Sequence, residues 1–259
     1  MIDRATIEVA PPPAGWPPPW PNVAEIELVL PHEKWTLVGG LMTQLHAIHR
    51  GVNTFRPTLD VDMVLHIETT RGVAAQTAAA LQTLGYEFMT PLDDRTATAH
   101  RFQRSNVDTG RVDVVDVLMA EHAAPDTHQK LGGKSMVAIE GGTQALKRTI
   151  NARLEIVAGH TSTISVPSPL GAAILKAAAY LTDSRDPQRH LQDAALLLAV
   201  IDDPFEERKG LGGSDRRRLR VLVAALPDDH SFWHRLDEPW RTDGQSAIRI
   251  LTRERGRAD

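Results

Sequence analysis

Cysteine is absent from the 259-residue sequence, and its absence removes several kinds of chemistry at once. Without thiols the chain forms no disulfide, holds no iron–sulfur cluster and uses no thiolate nucleophile. A charge excess is missing too: 29 Lys and Arg residues oppose 33 Asp and Glu residues, so the formal net charge is -4. No global field attracts the protein to nucleic acid, and any RNA contact has to come from a local basic patch.

Long apolar runs are also missing. No stretch approaches the ~18 apolar residues of a membrane span, and the beginning of the chain, MIDRATIEVAPPP, lacks the basic and apolar regions of a signal peptide. Hydrophobic residues still make up 42% of the sequence, enough for a core in one large domain or two small ones. We expect a globular, cytoplasmic protein that does not contact membranes.

The most informative stretch lies between residues 35 and 65. It begins with a short apolar run typical of a strand, Trp35 to Val38, and continues with apolar residues at helical spacing. Gly39 and Gly40 stand where the strand becomes the helix. Because glycine has no Cβ, such a turn lets the backbone approach a ligand closely, and free N–H groups at a helix start favour an anion such as phosphate. The alternative is an ordinary turn.

Two acids follow in the run LDVDMVL. Side chains on a strand repeat every two residues, so Asp60 and Asp62 lie on one face, about 7 Å apart at Cα. Such a pair could hold magnesium beside a turn that binds phosphate, an arrangement suited to metal-assisted nucleotidyl transfer. The alternative is an exposed strand face in a protein that is not an enzyme.

The remainder up to residue 166 is predicted to complete a sheet. A helix is expected over 70–84, and strands over 86–89, 99–104 and 111–120, with a hairpin of 151–157 and 162–166 closing the sheet. The strand 111–120 contains Asp113 and Asp116, whose spacing of three puts them on opposite faces. Only one of the two can therefore join Asp60 and Asp62.

From Pro167 onward the composition favours helices. Ser168 is predicted to cap a helix with Pro169 at its first position. Within the apolar part of that helix stands Lys176, which either faces a cleft or extends to the surface. Asp193 lies at the edge of the next apolar helix, where the alternative is a surface pair with Arg189.

At these positions the chain resembles a known family. Gly-Gly followed by Thr-x-Asp-x-Asp, at 58–62, resembles the DNA polymerase beta superfamily of nucleotidyltransferases, and more narrowly the AbiEii/MenT group of bacterial type IV toxin–antitoxin pairs. The family has a third carboxylate in a Val-Asp-Val-Leu pattern, which 115–118 match, so the resemblance assigns that role to Asp116, with Asp113 as the fallback. Lys176 and Asp193 match the family's helical lysine and aspartate. His190 stands where the family has another acid and receives no role.

The resemblance implies an α/β (α+β) fold, a mixed sheet with helices followed by a helical domain. The expected division is a proline-rich tail over 1–22, a nucleotidyltransferase domain over 23–166 and a helical domain over 167–259. The residues implied at the active site are Gly39, Gly40, Thr58, Asp60, Asp62, Asp116, Lys176 and Asp193. In this scheme Asp60 and Asp62 hold Mg²⁺ or Mn²⁺, and Asp116 completes the metal site or acts as base on the acceptor hydroxyl. Lys176 binds the triphosphate, and Asp193 orients it or a nearby hydroxyl.

The implied reaction transfers a nucleoside monophosphate from a nucleoside triphosphate to an RNA, in particular the 3′ end of tRNA, and the implied partner is a cognate antitoxin. Two alternatives keep the fold: transfer to a small molecule such as an aminoglycoside, or a scaffold that binds nucleotide without catalysis. The best candidates for contacts with RNA phosphates are two basic clusters, at 216–220 and near 249–257.

Overall fold

The strands and helices come from a computed structural model that describes residues 4–53, 56–90, 98–107, 110–124 and 127–253. The strands are β1 (Thr6–Val9), β2 (Trp35–Val38), β3 (Asp60–Leu65), β4 (Glu87–Phe88), β5 (Thr98–Ala99), β6 (Arg101–Asn106), β7 (Arg111–Ala120), β8 (Lys130–Leu131), β9 (Lys134–Ile139), β10 (Thr149–Val157) and β11 (His160–Pro167). The helices are α1 (Trp20–Val29), α2 (Gly39–Arg50), α3 (Val73–Thr83), α4 (Gly142–Lys147), α5 (Pro169–Thr182), α6 (Gln188–Ala199), α7 (Pro204–Lys209), α8 (Gly213–Ala225) and α9 (Glu238–Thr252).

The larger sheet is mixed and is built around β7. Strand β3 lies parallel to β7 on one side and pairs antiparallel with β2 beyond it. On the other side β6 runs antiparallel to the first part of β7, and β9 runs parallel to its last residues. The predicted α/β class with a mixed sheet is confirmed. Strand β9 was not predicted from the sequence.

The hairpin of β10 and β11 corrects one prediction. It does not close the larger sheet: β10 pairs with β11 and, on its other edge, with β1, to form a separate three-stranded sheet. The reason is the N-terminal segment, because Thr6–Val9 supplies the neighbouring strand in parallel register with 151–154. Residues 1–22, predicted as a tail, thus include a strand and the first turn of α1, and residues 1–3 lie outside the described part.

The ends of two helices follow local sequence signals. Helix α2 begins directly at Gly39, with Val38 before it and no side chain capping its N–H groups. Helix α5 begins at Pro169, and the Ser168 hydroxyl accepts a hydrogen bond from the Gly171 N–H at 3.3 Å, so the predicted cap is confirmed. Both helices begin within two residues of a buried strand end, Val38 of β2 and Pro167 of β11.

The core extends through both halves of the chain. The indoles of Trp20, Trp35 and Trp233 are fully buried, and they lie in α1, in β2 and after α8, respectively. Helix α5 packs on α6, and α6 also contacts α2 from the first half. Among the helices of the described residues, none has both the length and the apolar character that crossing a membrane requires. This packing places α5 opposite the open face of β3 and β7.

Candidate active site

Three aspartates meet where β3 and β7 lie side by side. In the parallel ladder Asp62 is directly opposite Asp116, and Asp60 shares the face of Asp62 because the two are two positions apart on the strand. Each contributes a carboxylate oxygen, and these oxygens lie within 4.8 Å of one another. We call Asp60, Asp62 and Asp116 the acidic triad. Asp113 lies elsewhere and accepts hydrogen bonds from Arg104.

The two glycines of the predicted turn give the triad its space. A Cβ on Gly39 would lie 1.8 Å from Asp62 Oδ2, and a Cβ on Gly40 would lie 2.6 Å from the Thr58 Cβ. The Thr58 hydroxyl in turn donates to Asp60 Oδ1 at 2.7 Å. The sequence predicts that the missing Cβ atoms admit a ligand. In the structure they admit the side chains of Asp62 and Thr58, and both glycines still line the cavity described below.

The triad concentrates negative charge in a desolvated place. Burial, followed by the charges of Asp60 and Asp116, raises the pKa of Asp62 to about 7. Carboxylates crowded in this way need a proton or a cation. All three donors are hard oxygens, which are the ligands that Mg²⁺ and Mn²⁺ prefer. The residues present therefore fit a divalent cation.

The cation predicted on α5 faces this cleft. Lys176 is only 4% exposed, and its Nζ donates to Asp193 Oδ2 at 2.6 Å. Arg56 Nη2 lies 3.5 Å from the same oxygen. Lys176 lines the cavity, whereas Asp193 does not. Asp193 therefore binds the Lys176 ammonium without lining the cavity itself. It forms no surface pair with Arg189, which contacts Asp183.

A cavity of about 570 Å³ lies between the triad and the helices. Apart from Arg101 on β6, four Lys and Arg side chains line it together with the triad, and we call them the basic wall. They are Arg56, Lys176, Arg185 and Arg189. The volume is typical of a small-molecule site, and the opposed charges suit a ligand that carries phosphates and brings a metal ion.

The turn between α5 and α6 is organised by Asp183. Its carboxylate accepts from the backbone N–H of Arg185, from Arg189 Nη2 at 2.8 Å and lies 2.9 Å from His190 Nε2. The backbone hydrogen bond from Arg185, together with these side chains, holds the pKa of Asp183 well below its usual range. Asp183 thereby positions one arginine of the basic wall and the histidine for which the resemblance had no role.

Sequence reasoning missed most of the basic wall. Arg56, Arg185 and Arg189 stand in a loop, in a turn and on a helix, with no shared spacing. Arg101, on β6, also lines the cavity and was not singled out. The one sequence feature that points to Arg56 is its position two residues before Thr58, where the Thr-x-Asp-x-Asp motif begins.

The basic cluster at 216–220 divides among three places. Arg218 is buried and lies 3.4 Å from both Glu121 and Glu140. Arg216 and Arg220 line a different cavity from Arg217. Arg217 is exposed beside a cavity of about 370 Å³ that shares Glu140 and Thr182 with the larger one. Of the second predicted cluster, residues 254–257 lie outside the described part.

Comparison with known proteins adds one likeness in fold. Neither a family model nor a curated protein matches the chain. Among solved structures, the chain is similar to an antigenic nucleotidyltransferase-like protein from Paracoccidioides brasiliensis, with 16% identity and a TM-score of 0.49. The alignment covers 81% of this chain and 90% of that one.

Proposed function

We propose that this protein is a metal-dependent nucleotidyltransferase. The observation that supports this most directly is the acidic triad, whose carboxylate oxygens lie within 4.8 Å of one another in a cavity that the basic wall also lines. Carboxylates that collect cations and a wall that attracts phosphates are the two parts needed to bind a nucleoside triphosphate for phosphoryl transfer.

In this reaction an acceptor hydroxyl forms a bond to the α-phosphorus and the bond from that phosphorus to the β-phosphate oxygen breaks, so pyrophosphate leaves in line. The proton of the hydroxyl would pass to Asp116 or to water. The triad would hold one or two divalent ions, which when bound neutralise charge on the phosphates. Lys176 and the arginines of the basic wall would orient the triphosphate, together with the N–H groups at the start of α2, where Gly39 and Gly40 line the same cavity. Asp193 would act by keeping Lys176 in place.

The acceptor we propose is an RNA, and the biological role a toxin neutralised by an antitoxin. Both rest on the resemblance of the Gly-Gly and Thr-x-Asp-x-Asp segments to AbiEii/MenT proteins, which also suggests the 3′ end of tRNA. Arg217 supports an anionic acceptor, because this exposed cation has no ion-pair partner among the described residues and lines the cavity adjoining the site. A polynucleotide end would reach past the triphosphate in that direction.

Incubation of the purified protein with each labelled nucleoside triphosphate, Mg²⁺ or Mn²⁺ and total tRNA tests the proposal. Label should appear on tRNA for the wild type and should fall below detection for Asp62→Asn. The matched control is Asp113→Asn. It removes the carboxylate of Asp113, which lies on β7 outside the triad, and should retain the transferase activity. Label on a small molecule alone would contradict the RNA acceptor, and nucleotide binding without transfer to any acceptor would contradict catalysis.

The partner is tested separately. Expression of the wild type should arrest growth of a bacterial host, because the proposed toxin modifies the host's RNA, and Asp62→Asn should not. Co-expression of a neighbouring reading frame should relieve the arrest. Normal growth of cells that accumulate active, folded wild type would contradict the toxin role while leaving the transferase activity in place.

A further inference from the structure

Arg101 holds the third carboxylate of the triad at both of its oxygens. Strand β6 places Arg101 directly opposite Asp116 in the antiparallel ladder. The Arg101 Nε donates to Asp116 Oδ1 at 2.8 Å, and its Nη2 donates to Oδ2 at 2.7 Å. This is the two-pronged geometry in which a guanidinium binds a carboxylate most strongly.

The same two strands carry a second arginine–aspartate pair at another place along the ladder. Arg104 is opposite Asp113, three residues along each strand, and its Nη2 donates to Asp113 Oδ2 at 2.9 Å. That pair lies outside the triad and faces Glu25 and Tyr86. The ladder therefore offers two cross-strand ion pairs of similar kind, one within the candidate metal site and one away from it.

We infer that Arg101 is the resident counter-cation of the acidic triad and competes with the divalent ion for Asp116. Three carboxylates this close repel one another, and the guanidinium neutralises one of them. A metal ion that binds Asp116 meets this positive charge, so the two cations oppose each other at one carboxylate.

Arg101 is also free to leave. Its side chain is 44% exposed, whereas that of Asp116 is 9% exposed, so the guanidinium can move into the cavity without disturbing the core. Arg101 lines that cavity, where the phosphates of the proposed substrate would lie. Arg101, which binds Asp116 in the absence of metal, would then bind a phosphate of the substrate instead.

Titration calorimetry with Mn²⁺ alone, without nucleotide, tests this role. Arg101→Gln should bind Mn²⁺ about tenfold more tightly than the wild type, which corresponds to about 1.4 kcal/mol. Arg104→Gln removes the Arg104–Asp113 pair, which lies outside the triad, and should bind Mn²⁺ with wild-type affinity. Arg101→Met, which keeps the length of the apolar stem, is the second variant if the glutamine variant folds poorly.

Thermal unfolding provides a second readout that does not depend on activity. Saturating Mn²⁺ should raise the Tm of Arg101→Gln more than that of the wild type or Arg104→Gln, because the metal replaces a missing counter-cation. The inference rests on the metal site of the proposed function. If the wild type binds Mn²⁺ and neither Arg101 variant binds it more tightly, the role of Arg101 is overturned alone. If no form of the protein binds Mn²⁺, the proposed function is overturned with it.

Discussion

The space left by Gly39 gives the sharpest test of the site. Gly39 begins α2 with φ +71°, and a Cβ there would lie 1.8, 2.6 and 2.9 Å from the Oδ2, Cγ and Cβ of Asp62. These three atoms belong to one side chain, so Gly39→Ala forces the whole carboxylate out of its position. Gly51 ends the same helix, also with φ +71°, and a Cβ there would meet nothing within 4 Å.

The two substitutions share one cost and differ in another. An alanine in the left-handed conformation destabilises the folded protein by about 1–2 kcal/mol. The lower conformational entropy of its unfolded chain offsets about 0.4–1 kcal/mol of this. Gly51→Ala should therefore lower the free energy of unfolding by about 1 kcal/mol. Gly39→Ala should lower it by roughly 2–3 kcal/mol, since the displaced Asp62 side chain adds off-rotamer strain of about 1 kcal/mol or more.

Metal binding should separate the two variants more clearly than stability. Mn²⁺ affinity should fall about 10- to 100-fold in Gly39→Ala, the range seen when the support of a metal ligand is removed. It should stay unchanged in Gly51→Ala. Urea unfolding and Mn²⁺ calorimetry on both proteins measure these quantities. Wild-type Mn²⁺ affinity in a folded Gly39→Ala protein would refute the placement of Asp62 as a ligand supported by Gly39.

Three further predictions concern other parts of the chain. Asp193→Asn should lower the free energy of unfolding by about 3 kcal/mol because it leaves the buried ammonium of Lys176 without its counter-charge; urea unfolding measures this. Arg217→Glu should weaken RNA binding and reduce its salt dependence in a filter-binding assay, whereas Arg216→Glu, on another face of α8, should weaken it much less. Burial lowers the pKa of His46 to about 4, whereas in the unfolded chain it is near 6.5, so the unfolded chain binds the proton more tightly. As the pH falls from 7 to 5, His46 should therefore lower the free energy of unfolding by about 2 kcal/mol. Urea unfolding of the wild type and of His46→Gln at both pH values measures this.

Each of these predictions has a result that would contradict it. A double variant, Lys176→Met with Asp193→Leu, should regain most of the stability that Asp193→Asn loses, because no buried charge is then left unpaired; equal loss in both would contradict the ion-pair account. Equal weakening of RNA binding by Arg217→Glu and Arg216→Glu would show general electrostatic attraction and would contradict a specific contact of Arg217 with RNA. A stability of His46→Gln that falls with acid as steeply as that of the wild type would show that other groups govern the pH dependence.

Local patterns in the sequence were enough for the elements that carry the triad. The alternation of Asp60 and Asp62, the glycines after Val38 and the cap at Ser168 each concern residues a few positions apart, and the structure has β3, α2 and α5 where these patterns predict them. Such signals can be read without the fold because side-chain direction and helix starts depend on the backbone nearby.

Which distant residues meet was decided by the tertiary structure. The register of β7 against β3 and β6 brings Asp116 opposite Asp62 and gives it Arg101 as partner, and spacing alone had left Asp113 as an equal choice. The pairing of β1 with β10 joins segments more than 140 positions apart.

The basic wall and the splitting of the arginines of α8 have the same origin. Their side chains come from a loop, a turn and three helices, and they face one cavity or another according to how α5, α6 and α8 pack. Long-range register and packing follow from the burial of the whole core, and no local period in the chain encodes them.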